Sequence, residues 1–149
     1  MIELIFVIVI LGILAAVAMP KLTATRADAI AAAKAQDLAT AVQDFASFYT
    51  SRGHLSTPSE MTNVSFGSDA STNLGAANTS VDFLECIAIS TSSHYGSLPD
   101  TIIVSYDATL GNTNNCYKVA LAASDITGAS DKNSDSNRSF RVGGSGINH

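Results

Sequence analysis

The chain has 149 residues, of which 46% are hydrophobic and 14% are charged, and its net charge is −5. This length is sufficient for one domain of ordinary size. An acidic chain without a run of lysines or arginines lacks the basic surface of a dedicated nucleic-acid binder, and the chain has no tryptophan to stack on bases. We therefore predict no specific nucleic-acid partner.

The composition changes at about residue 52. Residues 1–52 contain four basic and four acidic side chains, and 13 of these 52 residues are alanine. Residues 53–149 contain nine acidic and four basic side chains, and 44 of these 97 residues are Ser, Thr, Asn or Gly. These compositions predict an N-terminal helix over 1–52 and a turn-rich globular head over 53–149.

The first part of the N-terminal helix has the length and composition of a membrane span. Residues 4–19 read LIFVIVILGILAAVAM, without a charge or a hydrogen-bonding side chain. Nineteen residues before Pro20 extend over about 28 Å as a helix, close to the ~30 Å hydrocarbon core of a bilayer. A secretory signal would need a basic n-region and a cleavage site of small residues, and neither is present. Residues 1–20 are therefore predicted to span the membrane, with 21–52 as an amphipathic stalk.

Three residues interrupt the apolar character or the helix of this segment. Glu3 is a carboxylate beside an apolar run, and such groups cost roughly 2.5–3.5 kcal/mol at mid-bilayer and are usually functional. Glu3 lies either in the headgroup layer without a partner or against a cation once the helix leaves lipid for a protein assembly. Gly12 and Pro20 bracket the stretch in which the helix should kink or unwind most easily.

The positive charges and the cysteines give opposite indications about orientation. Lys21 and Arg26 follow the span, and the positive-inside rule would keep that side in the cytoplasm. Cys86 and Cys116 have no third cysteine or histidine at metal spacing beside them, which favours a disulfide in an oxidising compartment over two free thiols. The two indications agree if a basic leader once preceded residue 1 and was removed.

The run MIELIFVIVILGILAAVAMPKL, residues 1–22, resembles the N-terminal segment of type IV pilins and of the related pseudopilins of type II secretion. The shared features are a hydrophobic helix with one glutamate near its start, a mid-span glycine and a closing proline. In that family a prepilin peptidase removes a basic leader, and the new N-terminal residue, commonly phenylalanine, is N-methylated. Two residues precede this run in mature members, so the chain resembles a mature pilin without them.

The resemblance implies an α+β pilin fold, in which a long N-terminal α-helix packs on a small antiparallel β-sheet head. Glu3 matches the family glutamate, which neutralises the N-terminal amine of an adjacent subunit during assembly. Gly12 and Pro20 match the positions that bracket a partly unwound stretch of the helix in filaments. The implied partners are copies of the chain in a helical filament, the inner membrane before assembly, prepilin peptidase and the pilus assembly machinery.

Helical spacing continues beyond Pro20. One stripe carries large apolar residues and a second set of small residues extends it: Ile30, Leu38, Val42, Phe45 and Tyr49, with Ala27, Ala31 and Ala35. Arg52 and Gly53 supply a cation in the last turn and a glycine stop. A single helix over 1–52 would be about 78 Å long, more than a 97-residue head can cover. Its first half is therefore expected to be buried in a membrane or against other subunits.

The head shows strand-like alternation over 101–107 and 116–123, with the turn-rich 111–115 between them. The apolar run 81–90 fits a buried strand or a short helix, and its periodicity does not separate the two. We expect an irregular connection over 53–80, and a polar end over 128–149 with a short strand at 139–142.

An alternating series of oxygen-bearing side chains resembles the first half of a calcium loop: Asp131, Asn133, Asp135 and Asn137. Ser136 stands where such a loop has glycine, and Val142 where it has a bidentate glutamate. We favour a solvated loop without a cofactor, with calcium bound by these four residues as the alternative.

No catalytic arrangement is present in the sequence, and we predict that the chain is not an enzyme. The leading hypothesis is a type IV pilin that polymerises through its apolar helix into an extracellular fimbrium. The runner-up is a major pseudopilin of a type II secretion system, and a third possibility is a monomeric, membrane-anchored periplasmic binding module. The disulfide favours the pilin, whereas a calcium site would favour the pseudopilin.

Overall fold

The longest element of the fold is an N-terminal α-helix, α1, which comprises Ile2–Arg52. The computed structural model describes residues 2–76, 78–92, 100–114 and 116–142, with the backbone alone at 20–24 and 112–114. The helix passes Gly12 and Pro20 without a break, so the weakness predicted between them does not interrupt it in the single subunit. It ends where Gly53 adopts a φ of +75°, a conformation that glycine takes at little cost.

The head consists of short helices around one sheet. The helices are α2 (Pro58–Met61), α3 (Ala108–Asn114), α4 (Tyr117–Ala122) and α5 (Ser124–Thr127), with a 3₁₀ turn at Gly67–Ser71. The strands are β1 (Ser80–Leu84), β2 (Ile87–Ser92), β3 (Thr101–Tyr106) and β4 (Ser136–Arg141). Within the described ranges these four strands form one antiparallel sheet in the order β1-β2-β3-β4. The predicted α+β architecture, a long apolar helix with an antiparallel sheet, is confirmed.

Alternate side chains of the sheet point into a core shared with α1. Phe45 of α1 is fully buried, and its ring stacks on Phe66 with 5.7 Å between centroids. Phe66 in turn meets Phe83 of β1 edge to face, also at 5.7 Å. The remaining fully buried, large apolar side chains come from α1, the connection before β1, and the strands: Leu38, Leu55, Leu74, Val81, Ile87, Ile89, Ile102 and Val104.

The head covers only the later part of α1. Burial begins at Ala31, so Ile30, which was predicted on the buried stripe, remains 54% exposed. Leu38, Val42 and Phe45 are buried as that stripe requires. Ile30 stays exposed because it lines an open groove between α1 and the head and does not enter the packed core.

The prediction of a strand over 116–123 was wrong, because this segment contains α4. Its buried residues are Cys116, Val119, Ala120 and Ala123, a spacing of three, four and seven that belongs to one face of a helix. In so short a segment the alternation of larger apolar residues fitted a strand equally well. Helix α4 packs against α1, and its buried alanines belong to the face that this spacing defines.

Two neighbouring segments also differ from the sequence prediction. Helix α3 replaces the turn expected from residue 111 onward, because Asp107 caps it: the Thr109 N–H donates to Asp107 Oδ1 over 2.8 Å. The run 81–90 is neither one strand nor one helix, since it folds back into the β1–β2 hairpin. The reversal lies at Glu85 and Cys86, where the buried cysteine continues the apolar run and hides the turn.

The remaining connections contain more structure than the sequence indicated. The irregular connection expected over 53–80 includes α2 and the 3₁₀ turn. The short strand expected at 139–142 is present as β4, which begins earlier, at Ser136. The last part of the polar end, 143–149, lies outside the described residues.

Candidate assembly surface

The first eighteen described residues form an apolar surface without an intramolecular cover. Ile2–Met19 has a mean hydropathy of 2.9, and none of it is buried. Its large apolar side chains are between 41% exposed, at Ile10, and 82% exposed, at Ile2. By length and composition this helix is able to cross a bilayer. A contiguous apolar surface of this size requires a membrane or another protein chain to cover it.

The three predicted assembly residues lie along this helix and are not brought together. Glu3 is exposed in the first turn, where the helix dipole favours a carboxylate, and it has no ion pair within the described residues. A Cβ at Gly12 would meet no atom within 4 Å, so no contact in the described part of the subunit requires glycine there. Pro20 continues the helical backbone. Any role of the three residues in assembly therefore involves contacts outside the subunit.

An open groove of about 600 Å³ lies where the head begins to cover α1. One wall is formed by α1, and the other by the β1–β2 turn and the start of α4. The lining is mostly aliphatic, with three charged side chains at its edge: Ala27, Ile30, Ala31, Lys34, Leu84, Glu85, Cys116, Lys118 and Val119. Small residues on the α1 wall allow another helix to approach closely.

An ion pair joins the two walls of this groove. Lys118 Nζ of α4 donates to Asp28 Oδ1 of α1 over 2.8 Å. This hydrogen bond raises the pKa of Lys118 above its usual value. The pair links residues 90 positions apart in the chain. No local pattern in the sequence indicates it.

The ion pair predicts a loss of stability at alkaline pH. Because the folded-state pKa of Lys118 is raised, its contribution is complete below the unfolded-state pKa of about 10.5 and disappears as the pH rises through the folded-state value. We expect the melting temperature of the full chain in detergent micelles to fall more steeply above about pH 10 in the wild type than in Asp28→Asn.

The comparison of the wild type with Asp28→Asn also controls for Tyr106, a second group that titrates at alkaline pH. Burial, followed by the charge of Asp131, raises the pKa of Tyr106, so this phenol also favours the folded state below its folded-state pKa. Tyr106 titrates in both proteins, and only the difference between the two curves reports the ion pair. Parallel curves for the wild type and Asp28→Asn would show that the pair contributes nothing to folding.

The disulfide fixes the head wall of the groove. Cys86 of the β1–β2 turn is bonded to Cys116 at the start of α4, and the two Cα atoms are 6.1 Å apart. Both cysteines are buried, and neither is free. The predicted disulfide pairing is therefore present, and it attaches α4 to the sheet beside the Lys118–Asp28 pair.

Two of the four predicted calcium ligands, Asp131 and Asp135, accept hydrogen bonds within the head. Asp131 accepts hydrogen bonds from the Asn133 N–H at 2.7 Å and the Ser134 hydroxyl at 3.1 Å, and the pKa of its carboxyl is lowered by them. Asp135 accepts the Ala108 N–H at 2.8 Å. Asn137 lies in β4, opposite Ser105 of β3. The described residues contain no group of three or more His, Cys, Asp or Glu side chains placed to hold a metal ion. Calcium binding stays a prediction.

No protein-family model, no curated protein and no solved structure matches this chain. The likeness to pilins therefore rests on structural features: a long apolar N-terminal helix and an antiparallel sheet packed on its second half. Together they are compatible with a pilin-like fold.

Proposed function

We propose that the chain is a structural subunit of a type IV pilus. In this proposal the apolar part of α1 anchors the subunit in the inner membrane and then moves into the core of a helical filament. The observation that carries the proposal is the complete exposure of Ile2–Met19 in a helix whose second half is packed into the head. In the assembled filament, packing of this surface against neighbouring subunits would replace its contacts with lipid.

The position of Glu3 supports polymerisation over a simple membrane anchor. In a monomeric anchor this carboxylate would lie in the headgroup layer at the positive end of the helix dipole, without a partner from another chain. In a filament core, the same carboxylate would fix the position of one helix against its neighbour, because a buried charge is stable only beside a partner of opposite sign. The proposed role of the head is to form the outer surface of the fibre, with adhesion, motility or a related surface function.

Several properties follow from the family resemblance and are part of the same proposal. Prepilin peptidase would remove a basic leader, and the new N-terminus would be methylated. The subunit would be a single-pass inner-membrane protein before assembly and part of an extracellular fimbrium afterwards. The acidic, disulfide-bonded head fits an exterior location. We propose no catalytic activity.

Replacing Glu3 with alanine should abolish fibres and leave the subunit in the membrane, because the apolar span remains while its charged contact is lost. The measurement is electron microscopy and immunoblotting of material sheared from cells of the source organism, with the membrane fraction blotted in parallel. Glu60→Gln is the matched control, since Glu60 is an exposed carboxylate on the head. Abundant normal fibres from Glu3→Ala would overturn the proposed role of Glu3.

The same experiment separates the other two functions. Fibres that stay short or form only on overexpression would indicate a type II secretion pseudopilin, which shares the helix. A chain that forms no fibre even on overexpression would be a membrane-anchored binding module. The disulfide in the head favours the pilin over the pseudopilin.

A further inference from the structure

The disulfide of the head lies at the wall of the open groove between α1 and α4. Within the described residues, the lining of this groove includes Cys116 and does not include Cys86. Both cysteines are buried, with Cys116 7% exposed and Cys86 2% exposed. A molecule that enters the groove therefore meets Cys116 before Cys86.

This position determines how the disulfide is reached by other thiols. Exchange begins when a thiolate attacks one of the two sulfurs, and its rate depends on access to that sulfur. A disulfide enclosed in a core is reached only when the surrounding structure opens. The groove has a volume of about 600 Å³, within the range of small-molecule pockets, so it admits a thiol of the size of a short peptide to the folded head.

Main-chain hydrogen bonds hold each cysteine in place independently of the disulfide. The N–H groups of Val119 and Ala120 donate to the Cys116 carbonyl over 3.0 and 3.1 Å, in the first turn of α4. The Asp107 N–H donates to the Cys86 carbonyl over 2.9 Å and fixes the β1–β2 turn to the residue after β3. Because these bonds do not involve the sulfurs, the two side chains stay close when the disulfide opens.

We propose that Cys116 is the site of thiol–disulfide exchange in the folded head, and that the groove admits a low-molecular-weight thiol to it. The thiolate of this molecule attacks the Cys116 Sγ and forms a mixed disulfide. The bond to Cys86 breaks, and its electron pair leaves with the Cys86 Sγ, which then takes a proton from water. A second thiol attacks the sulfur of the bound molecule, releases Cys116 as a thiol and forms the small-molecule disulfide. Two small thiols are thus oxidised while the protein disulfide is reduced.

Opening the bond changes the groove itself. Reduction removes the covalent link between α4 and the sheet, so the thiol loosens the wall through which it entered, while the Lys118–Asp28 pair still joins α4 to α1. Oxidation by a small disulfide follows the reverse path, in which Cys116 forms the mixed disulfide and Cys86 then closes the bond. This chemistry belongs to the head and does not depend on polymerisation.

Reduced glutathione identifies the sulfur that is attacked. The oxidised full chain in detergent micelles is treated briefly with glutathione, and free thiols are then blocked with N-ethylmaleimide. Chymotrypsin cleaves after Tyr106, between the two cysteines, and mass spectrometry of the peptides locates both groups. Glutathione should be found on Cys116 and maleimide on Cys86. Glutathione on Cys86, equal amounts on both, or no reaction while the head stays folded would overturn the proposal.

The effect of urea on the rate separates attack through the groove from attack after unfolding. If the folded head reacts, the rate should rise in proportion to the glutathione concentration and change little with urea below the unfolding transition. If only the unfolded chain reacts, the rate should increase steeply over the same urea range, because the unfolded fraction increases exponentially with urea. The second result would overturn the proposal.

Filling the groove tests the path to Cys116. Ala27 is exposed and lines the groove, and Ala27→Trp should slow the reaction with glutathione by roughly tenfold or more, because the indole occupies the approach to the sulfur. Ala76→Trp is the matched control, since Ala76 is exposed and its carbonyl accepts the Thr91 hydroxyl at the end of the β1–β2 hairpin away from Cys86. This variant should react at the wild-type rate. Equal rates for Ala27→Trp and the wild type would overturn the role of the groove.

Discussion

Replacing Phe45 with alanine should lower the free energy of unfolding by about 3–5 kcal/mol. Phe45 is fully buried, and its ring stacks on Phe66, which in turn contacts Phe83 of β1. The substitution removes the aromatic link between α1 and the sheet and leaves a cavity that the surrounding strands fill only in part. Urea unfolding of the full chain in detergent micelles, followed by near-ultraviolet circular dichroism, measures this loss.

Phe6→Ala is the matched control, because it makes the same chemical change on the same helix at a residue that is 66% exposed. Its effect on the unfolding of the head should be within about 0.5 kcal/mol. Equal losses of stability in the two variants would contradict the assignment of Phe45 to the core. A reduced yield of fibres from Phe6→Ala with a stable head would locate its effect in assembly.

Removing the disulfide should also lower the free energy of unfolding by a large amount. The double variant Cys86→Ala/Cys116→Ala is expected to lose about 2–4 kcal/mol, because the bond closes a loop in the unfolded chain and so limits its conformational entropy. The two cysteines are 30 positions apart in the sequence. Replacing both avoids a free buried thiol. Thermal and urea unfolding of the full chain under non-reducing conditions measure the difference from the wild type.

Chemical reduction of the wild type provides an independent comparison. The reduced wild type and the double variant should unfold at similar denaturant concentrations, since both lack the same cross-link. Asp28→Asn, which weakens the other attachment of α4 while keeping the disulfide, should lose much less stability because its partner contact is solvent-exposed. A double variant as stable as the oxidised wild type would show that the cross-link does not stabilise the head.

Some elements of the head were predicted correctly from the sequence and others were not, and particular residues explain the difference. β3 was predicted because Ile102, Val104 and Tyr106 recur at every second position and so share one face of a strand, and the structure buries these three. The strand predicted at 116–123 is α4, since Ala120 and Ala123 contribute to its buried face as much as the larger residues do. Alanine adds little to the hydrophobic pattern of a sequence. In the structure its small side chain allows α4 to pack closely against α1.

The sequence by itself determined the long helix, its exposed apolar half and the unusual position of Glu3. These properties depend on composition and on spacing within a few turns, which the chain contains locally. The disulfide pairing was predictable because the chain offers only two cysteines.

Tertiary structure alone decided where the head meets α1, and therefore that a groove forms there and that Ile30, which lines it, stays exposed. It also decided which charges pair, since the Lys118–Asp28 pair joins residues 90 positions apart. Such contacts arise from packing between distant segments, and no local periodicity encodes them.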